Sequence, residues 1–363
     1  MTESNTPVPK VRKGQTDTKI SRAEFDKRFT ERFFDPAFDA VREAIAAVSD
    51  VAWNGYDDYR KNPRIQPAGA EFADPSHPLP IEWLAARRAI QDAQRRHDEP
   101  GAKRRILIIC ASARSDQTCP GEMSKTFRLA GLAKEIVDAD TDAEADFLDL
   151  SALTAEYGRI IYPCKGCVST AMPLCHWPCS CYPNYAMGQV NDWMHEIYPR
   201  WVAAHGVVII TPVYWYQAPA VLKLMIDRLV CADGGNPDPT TTHGKHPDEA
   251  KALEVKGWDY PRHLAGRAFG IFVHGDAAGT ETLRRSLTDW LLDMHLVQAG
   301  RAVLDRYIGY YEPYAASHDA LDADRAVQDE VRNVAREVVA TVKLIRDGKY
   351  EDTGRELKDP RPK

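Results

Sequence analysis

The chain has 363 residues, enough for one large domain with an appendage or for two modest domains. Its 44% hydrophobic and 28% charged residues are the ordinary balance of a soluble globular protein, and its net charge of −6 argues against general polyanion binding, so no nucleic-acid partner is expected. No apolar run nears the roughly 20 residues that cross a bilayer, and the polar start MTESNTPVPKVRKGQTDTK lacks a secretory segment, which makes a cytoplasmic location the expectation.

Residues 1–19 read as a disordered tail. Ser21-Arg22-Ala23-Glu24 has the form of a capping box, followed by Phe25, Phe29 and Phe33 at spacings of four. Asp35-Pro36 is a second helix start, with Phe38, Val41, Ile45 and Val48 as its stripe. A proline-rich linker covers 64–80, and 81–97 reads as a third helix with arginines on its outer face. Together these make residues 20–103 a helical N-terminal extension.

At Arg104 the pattern changes to strands alternating with helices. Strands are expected at 105–110, 146–150, 206–210, 267–274 and 302–308, those at 105–110 and 206–210 buried because each carries a short apolar run. Helices are expected at 124–138, at 189–204, from Val221 to Leu229, from Thr280 to Met294, and from Val327 to about Gly348. Residues 233–264, rich in Pro, Gly, Asp and Thr, form an insertion too long for a routine connection, expected to serve as a lid, substrate wall or subunit arm. Five strands alternating with helices predict an α/β domain over 104–348, a doubly wound parallel sheet with right-handed crossovers, ahead of a polar tail at 349–363.

Three turns of this domain converge where strands end and ligands bind. The first, from Ala111 to Thr126, offers hydroxyls and backbone amides at a helix start with Arg114 and Lys125 nearby, a plausible phosphate cradle. Neither the Gly-Lys-Ser/Thr ending of a Walker motif nor GxGxxG is present; the blander reading of Ser124 is a helix cap. The second turn, Thr211-Pro212-Val213-Tyr214-Trp215-Tyr216-Gln217, carries three consecutive aromatics, which suit a flat ring or simple core packing. The third is His274-Gly275-Asp276-Ala277-Ala278-Gly279. Lys223 and Asp227, one helical turn apart, read as a local or subunit-interface ion pair.

Pro212-Val213-Tyr214, Ala218, Leu222-Lys223 and Ile226-Asp227-Arg228 together resemble the signature of the flavodoxin-like NAD(P)H-dependent FMN reductases, over roughly 105–306. The resemblance implies a flavodoxin-like five-stranded sheet and an FMN-dependent oxidoreductase that takes electrons from NAD(P)H and passes them to a quinone, an aromatic compound or a protein acceptor. By position, Ser112, Arg114, Ser124 and Thr126 match the family's phosphate loop. Pro212, Val213, Tyr214, Trp215, Tyr216 and Gln217 would line the isoalloxazine ring, and the loop at His274, Gly275 and Asp276 would contact it. His274 is the candidate proton donor, its other reading being a structural histidine. A homo-oligomer is implied by the resemblance alone. The phosphate turn is longer than the family's compact form, and Trp215-Tyr216-Gln217 replace smaller residues.

Five of the eight cysteines fall between Cys164 and Cys181, in IYPCKGCVSTAMPLCHWPCSCYPNY. In a reducing compartment such clustering points to metal, cluster or redox chemistry. The segment follows the second strand, as the cysteine motif of the iron–sulfur flavoprotein branch does, but its spacings differ from that motif. Four readings stand: a [4Fe–4S] cluster on Cys164, Cys167, Cys175, Cys179 and Cys181; structural zinc on four of these thiolates or on three with His176; redox-active or disulfide-linked thiols; and buried thiols without a ligand. Competing with the enzyme are a non-catalytic flavodoxin-like electron carrier and a zinc-stapled structural protein.

Overall fold

The computed structural model describes residues 14–276, 278–310, 313 and 316–351. Of the two expected polar tails, 1–13 and 352–363 lie outside these residues. Among the described residues no helix is long and apolar enough to cross a membrane.

Five strands form the central sheet: β1 (Arg104–Cys110), β2 (Ala143–Asp149), β3 (Gly206–Pro212), β4 (Ala268–Gly275) and β5 (Val297–Tyr307). All pair in parallel, in the order β2-β1-β3-β4-β5, so Ile108 faces both Phe147 and Val208 across the ladder. The flavodoxin-like order puts the first connection on one side of β1 and the next on the other, leaving a crevice beyond the C-terminal ends of β1 and β3. Every residue of β3 is buried, as a strand covered on both faces requires.

One face of the sheet packs on the helices Lys125–Asp138 and Arg325–Arg346. Leu129, Leu132 and Val137 from the first, and Val331, Val334, Val338 and Val342 from the second, join Ile106, Ile108, Val208, Ile210 and Phe272 in one cluster. The long helix approaches closely because Gly206 and Gly270 sit beneath it: a Cβ on Gly206 would lie 2.8 Å from Val338 and Val342, and one on Gly270 2.8 Å from Val334 and Val338. The helices Met194–Ala203 and Thr280–Asp293 contribute Ile197, Trp201, Leu287 and Leu291 to the buried interior, with the Trp201 and Trp290 rings edge-on at 6.0 Å. On the helix Ala220–Arg228, Lys223 pairs with Asp227 as the spacing predicts.

β2 begins three residues ahead of expectation, at Ala143, and the expected linker over 64–80 pairs Ile65–Pro67 with Pro78–Pro80; two further boundaries differ for local reasons. The helix expected from Gln189 starts at Met194, because Asn184 and Gln189 exchange backbone hydrogen bonds at 2.8 and 2.9 Å around Gly188, whose φ is +64°. β5 begins at Val297 rather than Ala302; its first half includes exposed Gly300 and Arg301 and a register irregularity opposite Phe269–Ile271, so its apolar pattern is interrupted.

The chain divides into two compact units that do not follow its order. The sheet unit comprises 89–161, 194–233 and the described part of 262–363. The other gathers the described part of 1–88 with Tyr162–Trp193 and Gly234–Pro261. In this second unit Ser21 caps the helix Arg22–Thr30 by accepting from the Glu24 amide, and the Phe25 and Phe29 rings stack at 5.9 Å. Trp83 lies 2% exposed among Ala68, Phe72, Leu79 and Leu84, and its indole N–H donates to the Pro178 carbonyl at 2.8 Å. The Ala73 amide donates to Asp238 at 2.8 Å, the Asp74 amide to Thr240 at 3.1 Å, and the Met172 amide to Glu254 at 3.0 Å. These bonds tie the three separate segments together, and the inserted helix Pro247–Gly257 packs Ala250 on Ala171 and Leu174.

Candidate active site

In the sheet unit, a cavity of about 170 Å³ lies at the C-terminal ends of β1, β3 and β4. Its phosphate-type wall starts where β1 ends. Ser112 is buried, and its Oγ accepts from the Arg114 amide at 3.1 Å and lies 3.3 Å from the Tyr214 hydroxyl. Arg114 donates to the Pro120 carbonyl at 3.0 Å, which braces the long turn from within. Ser124 caps the helix Lys125–Asp138, accepting from the Phe127 amide at 3.0 Å, so the positive end of that helix faces the cavity along with Arg114 and Lys125. Burial lowers the Lys125 pKa, against the pull of Asp276 and Glu122.

His274, at the end of β4, also lines the cavity but turns its Nε2 to the buried Thr126 hydroxyl at 3.0 Å. Burial, with Lys125 adding to it, pulls its pKa down from 6.5 to about 3. The imidazole is therefore neutral near pH 7 and holds the phosphate turn against β4. Its stability contribution has a definite sign. In the unfolded chain the residue takes up a proton below about pH 6.5, while the folded one resists until about pH 3. Stability is therefore full above pH 6.5 and falls as the pH drops toward 3, by about 1.4 kcal/mol per pH unit for this residue. We expect urea midpoints to decline between pH 6.5 and 4.5, and His274→Gln to make that decline shallower; an unchanged slope would refute the assignment.

The aromatic turn is built differently. Tyr214 and Gln217 exchange backbone hydrogen bonds at 2.9 Å each way, and the two residues between them, Trp215 and Tyr216, have φ of +48° and +67°. This is the sign pattern of a type I′ turn, where Asn-Gly is usual and bulky aromatics are strained. The turn carries both rings outside the core: Trp215 is 92% and Tyr216 60% exposed. Core packing of the aromatic run is excluded for these two. The third turn supports them from beneath. A Cβ on Gly279, whose φ is +108°, would lie 2.8 Å from Tyr216 Cα, and one on Gly275 would lie 2.5 Å from Val213 Cγ1.

Ser112, Arg114, Ser124, Thr126, Pro212, Val213, Tyr214, His274, Gly275 and Asp276 thus meet at one cavity, while Trp215, Tyr216 and Gln217 form the open turn at its edge. Ile308, which the sequence did not single out, joins the lining from just beyond β5. The residues fit a phosphorylated flavin. The cavity is smaller than the roughly 300–1,000 Å³ of whole-ligand pockets and matches a phosphate with part of a sugar chain; the exposed aromatics suit a planar ring outside it.

The cysteine segment lies in the other unit. Among the described residues no group of three or more His, Cys, Asp or Glu side chains is placed to hold a metal ion. The expected [4Fe–4S] or zinc site on Cys164, Cys167, Cys175, Cys179 and Cys181 is therefore not shown, although the sulfurs are near enough to act on one another, Cys164 with Cys175, Cys181 and Cys167, and Cys181 with Cys179. His176 is buried and turned to hydroxyls, Nδ1 to Ser180 at 2.6 Å and Nε2 to Thr242 at 3.3 Å. The Cys164 sulfur accepts from the Gly166 amide at 3.4 Å, and the Cys167 and Cys181 sulfurs lie 3.4 Å apart. Its hydrogen bond to Cys181, and then burial, raise the Cys167 thiol above its usual range. At Cys181 the bond with Cys167 lowers the pKa, but the bond with Cys179 and burial prevail and raise it.

The family model for NADPH-dependent FMN reductases matches residues 104–307 of this chain. Comparison with curated proteins gives no significant match. Among solved structures, RosB with the bound intermediate 8-demethyl-8-formylriboflavin-5′-phosphate is 12% identical, with 72% of this chain and 90% of that one covered at a TM-score of 0.48. The apo form of the NADH:FMN oxidoreductase EmoB is 17% identical, covering 72% of this chain and 98% of its own, at 0.38. General stress protein 14 of Treponema denticola in complex with FMN is 11% identical, covering 67% and 99%, at 0.32.

Proposed function

The chain belongs to the NADPH-dependent FMN reductase family, and from that premise we propose that it holds FMN with the phosphate in the Ser112–Thr126 cradle and the ring on the Tyr214–Gln217 turn, serving a small quinone or aromatic acceptor. Bound FMN supplies hydride acceptance and electron donation. The protein's own residues supply placement. Arg114, Lys125 and the helix N-terminus offset the phosphate charge, and Ser112, Ser124 and Thr126 offer hydroxyls at the same wall. Asp276 can accept from hydroxyls of the sugar chain. Backbone amides of the aromatic turn are within one strained, fixed loop, which orients the ring's polar edge. His274, neutral and bound to Thr126, is a positioning residue in this reading.

The observation that carries the proposal is the convergence of cations, hydroxyls and a helix N-terminus in a cavity too small for the ring, directly beside two solvent-exposed aromatics. The openness of Trp215 favours a diffusible planar acceptor that reaches the ring from solvent. The purified protein should bind FMN, show a flavin spectrum that bleaches with NADPH under anaerobic conditions, and recover colour on adding a quinone. Failure to retain FMN would sink the site assignment. Bleaching with no reoxidation by quinones would sink the acceptor class.

A further inference from the structure

A second cavity, of about 370 Å³, opens within the unit that carries the cysteine segment. Cys167 and Cys181 both stand in its wall, with their sulfurs 3.4 Å apart. The Lys245 ammonium donates to each of them at 3.1 Å. Lys61 and Lys165 line the same space, and no carboxylate does. Trp83 and Leu79 give the cavity an apolar side. Its volume falls within the range that encloses a small organic molecule.

Each feature narrows the chemistry. Two sulfurs 3.4 Å apart need to approach by about 1.4 Å to reach the roughly 2.0 Å of a disulfide bond. An ammonium in contact with both favours the negative charge on whichever sulfur carries it, working against the burial and neighbouring sulfurs that raise both thiols. Three lysines without a carboxylate select a ligand with negative charge. We propose that Cys167 and Cys181 form a dithiol that exchanges with small disulfides bearing carboxylates, a redox site separate from the flavin-binding turns.

The exchange balances without a further reductant. One cysteine loses its proton and its sulfur attacks a sulfur of the ligand, R–S–S–R. The ligand's S–S bond breaks, one R–S⁻ leaves and takes up a proton, and a mixed disulfide remains. The second cysteine loses its proton and attacks the protein sulfur of that mixed disulfide. The Cys167–Cys181 bond forms and the second R–SH departs. Two electrons pass from the protein sulfurs to the ligand sulfurs, and the protons lost by the cysteines equal those gained by the products.

The test uses the reduced full-length chain, with oxidised glutathione as the acidic disulfide and 2-hydroxyethyl disulfide as the neutral one. After alkylation and digestion, mass spectrometry should show a Cys167–Cys181 cross-link, with two equivalents of glutathione released per chain. Cys181→Ser should stop at a mixed disulfide on Cys167. Lys245→Met should slow exchange with oxidised glutathione about threefold, since one unit in thiol pKa cuts the thiolate fraction about tenfold while the more basic thiolate regains part of it in nucleophilicity, and Lys245→Arg should retain most of the rate. Oxidised glutathione should outpace the neutral disulfide. The proposal is overturned if both cysteines remain fully alkylated, if the cross-link joins other cysteines, or if iron or zinc purifies with the chain and is lost on Cys167→Ser. Should the variants fold poorly by circular dichroism, the wild-type cross-link map and the contrast between the two disulfides still decide.

Discussion

Replacing Arg114 and Lys125 together by alanine is expected to weaken FMN binding by about two to four powers of ten and to leave riboflavin binding nearly unchanged. Both side chains line the small cavity at the start of the helix Lys125–Asp138. A hydrogen bond to a charged group contributes about 1.5–3 kcal/mol, and two such contacts to one phosphate account for the stated loss. Riboflavin lacks the phosphate, so it reports the ring site alone. Quenching of flavin fluorescence gives both affinities, and raising the salt concentration should weaken FMN more than riboflavin. Equal losses for the two ligands would mean that the turn had collapsed and that these cations do not read a phosphate.

Gly279→Val should be the most damaging single change outside the hydrophobic core. The position has φ of +108°, and its Cβ would press on Tyr216 Cα at 2.8 Å, a backbone atom that cannot rotate away. Strain in that backbone region costs about 1–3 kcal/mol, and forcing the neighbouring turn to shift costs a similar amount. We expect a loss of about 3 kcal/mol in urea unfolding of the sheet unit. The Trp215–Tyr216 turn would be displaced, so flavin affinity and NADPH-dependent turnover should fall together. Gly266→Val is a suitable control: it also has positive φ, +78°, but nothing lies within 4 Å of its Cβ position. If both variants lost flavin equally, backbone strain alone would explain the effect and the contact with Tyr216 would not matter.

Much of the sheet unit is legible in the sequence for a simple reason. β1, β3 and β4 are buried on both faces over most of their length, so 106–110, 207–210 and 268–273 read as apolar runs, and polar or aromatic residues mark each turn that follows. The site inherits that legibility, since Ser112, Tyr214 and His274 lie at or just past the strand ends. Ile308 escaped because an apolar residue leaving a strand carries no mark of its pocket. The conformation of Trp215-Tyr216 was hidden for the opposite reason: a positive φ at two aromatics runs against local preference, and the room for it is left by the missing Cβ of Gly279, distant in sequence. The second unit was the least legible. Its pieces meet through single hydrogen bonds such as Ala73 to Asp238 and Asp74 to Thr240, far apart in sequence and without periodicity. The cysteine spacings named candidate ligands but not their neighbours, and Lys245, which sits against two of the sulfurs, comes from the insertion.

The scattered ancestry of that second unit bears on how the chain is made. Its first segment leaves the ribosome early, yet the amides of Ala73 and Asp74 and the indole of Trp83 find their partners only after Pro178, Asp238 and Thr240 have been synthesised. At bacterial-like rates of about 5–20 residues per second, that interval is on the order of ten seconds or more. Throughout it, the cluster of Ala68, Phe72, Leu79, Trp83 and Leu84 can close within its own segment, but the Trp83 indole and the Ala73 and Asp74 amides lack the acceptors that later segments bring.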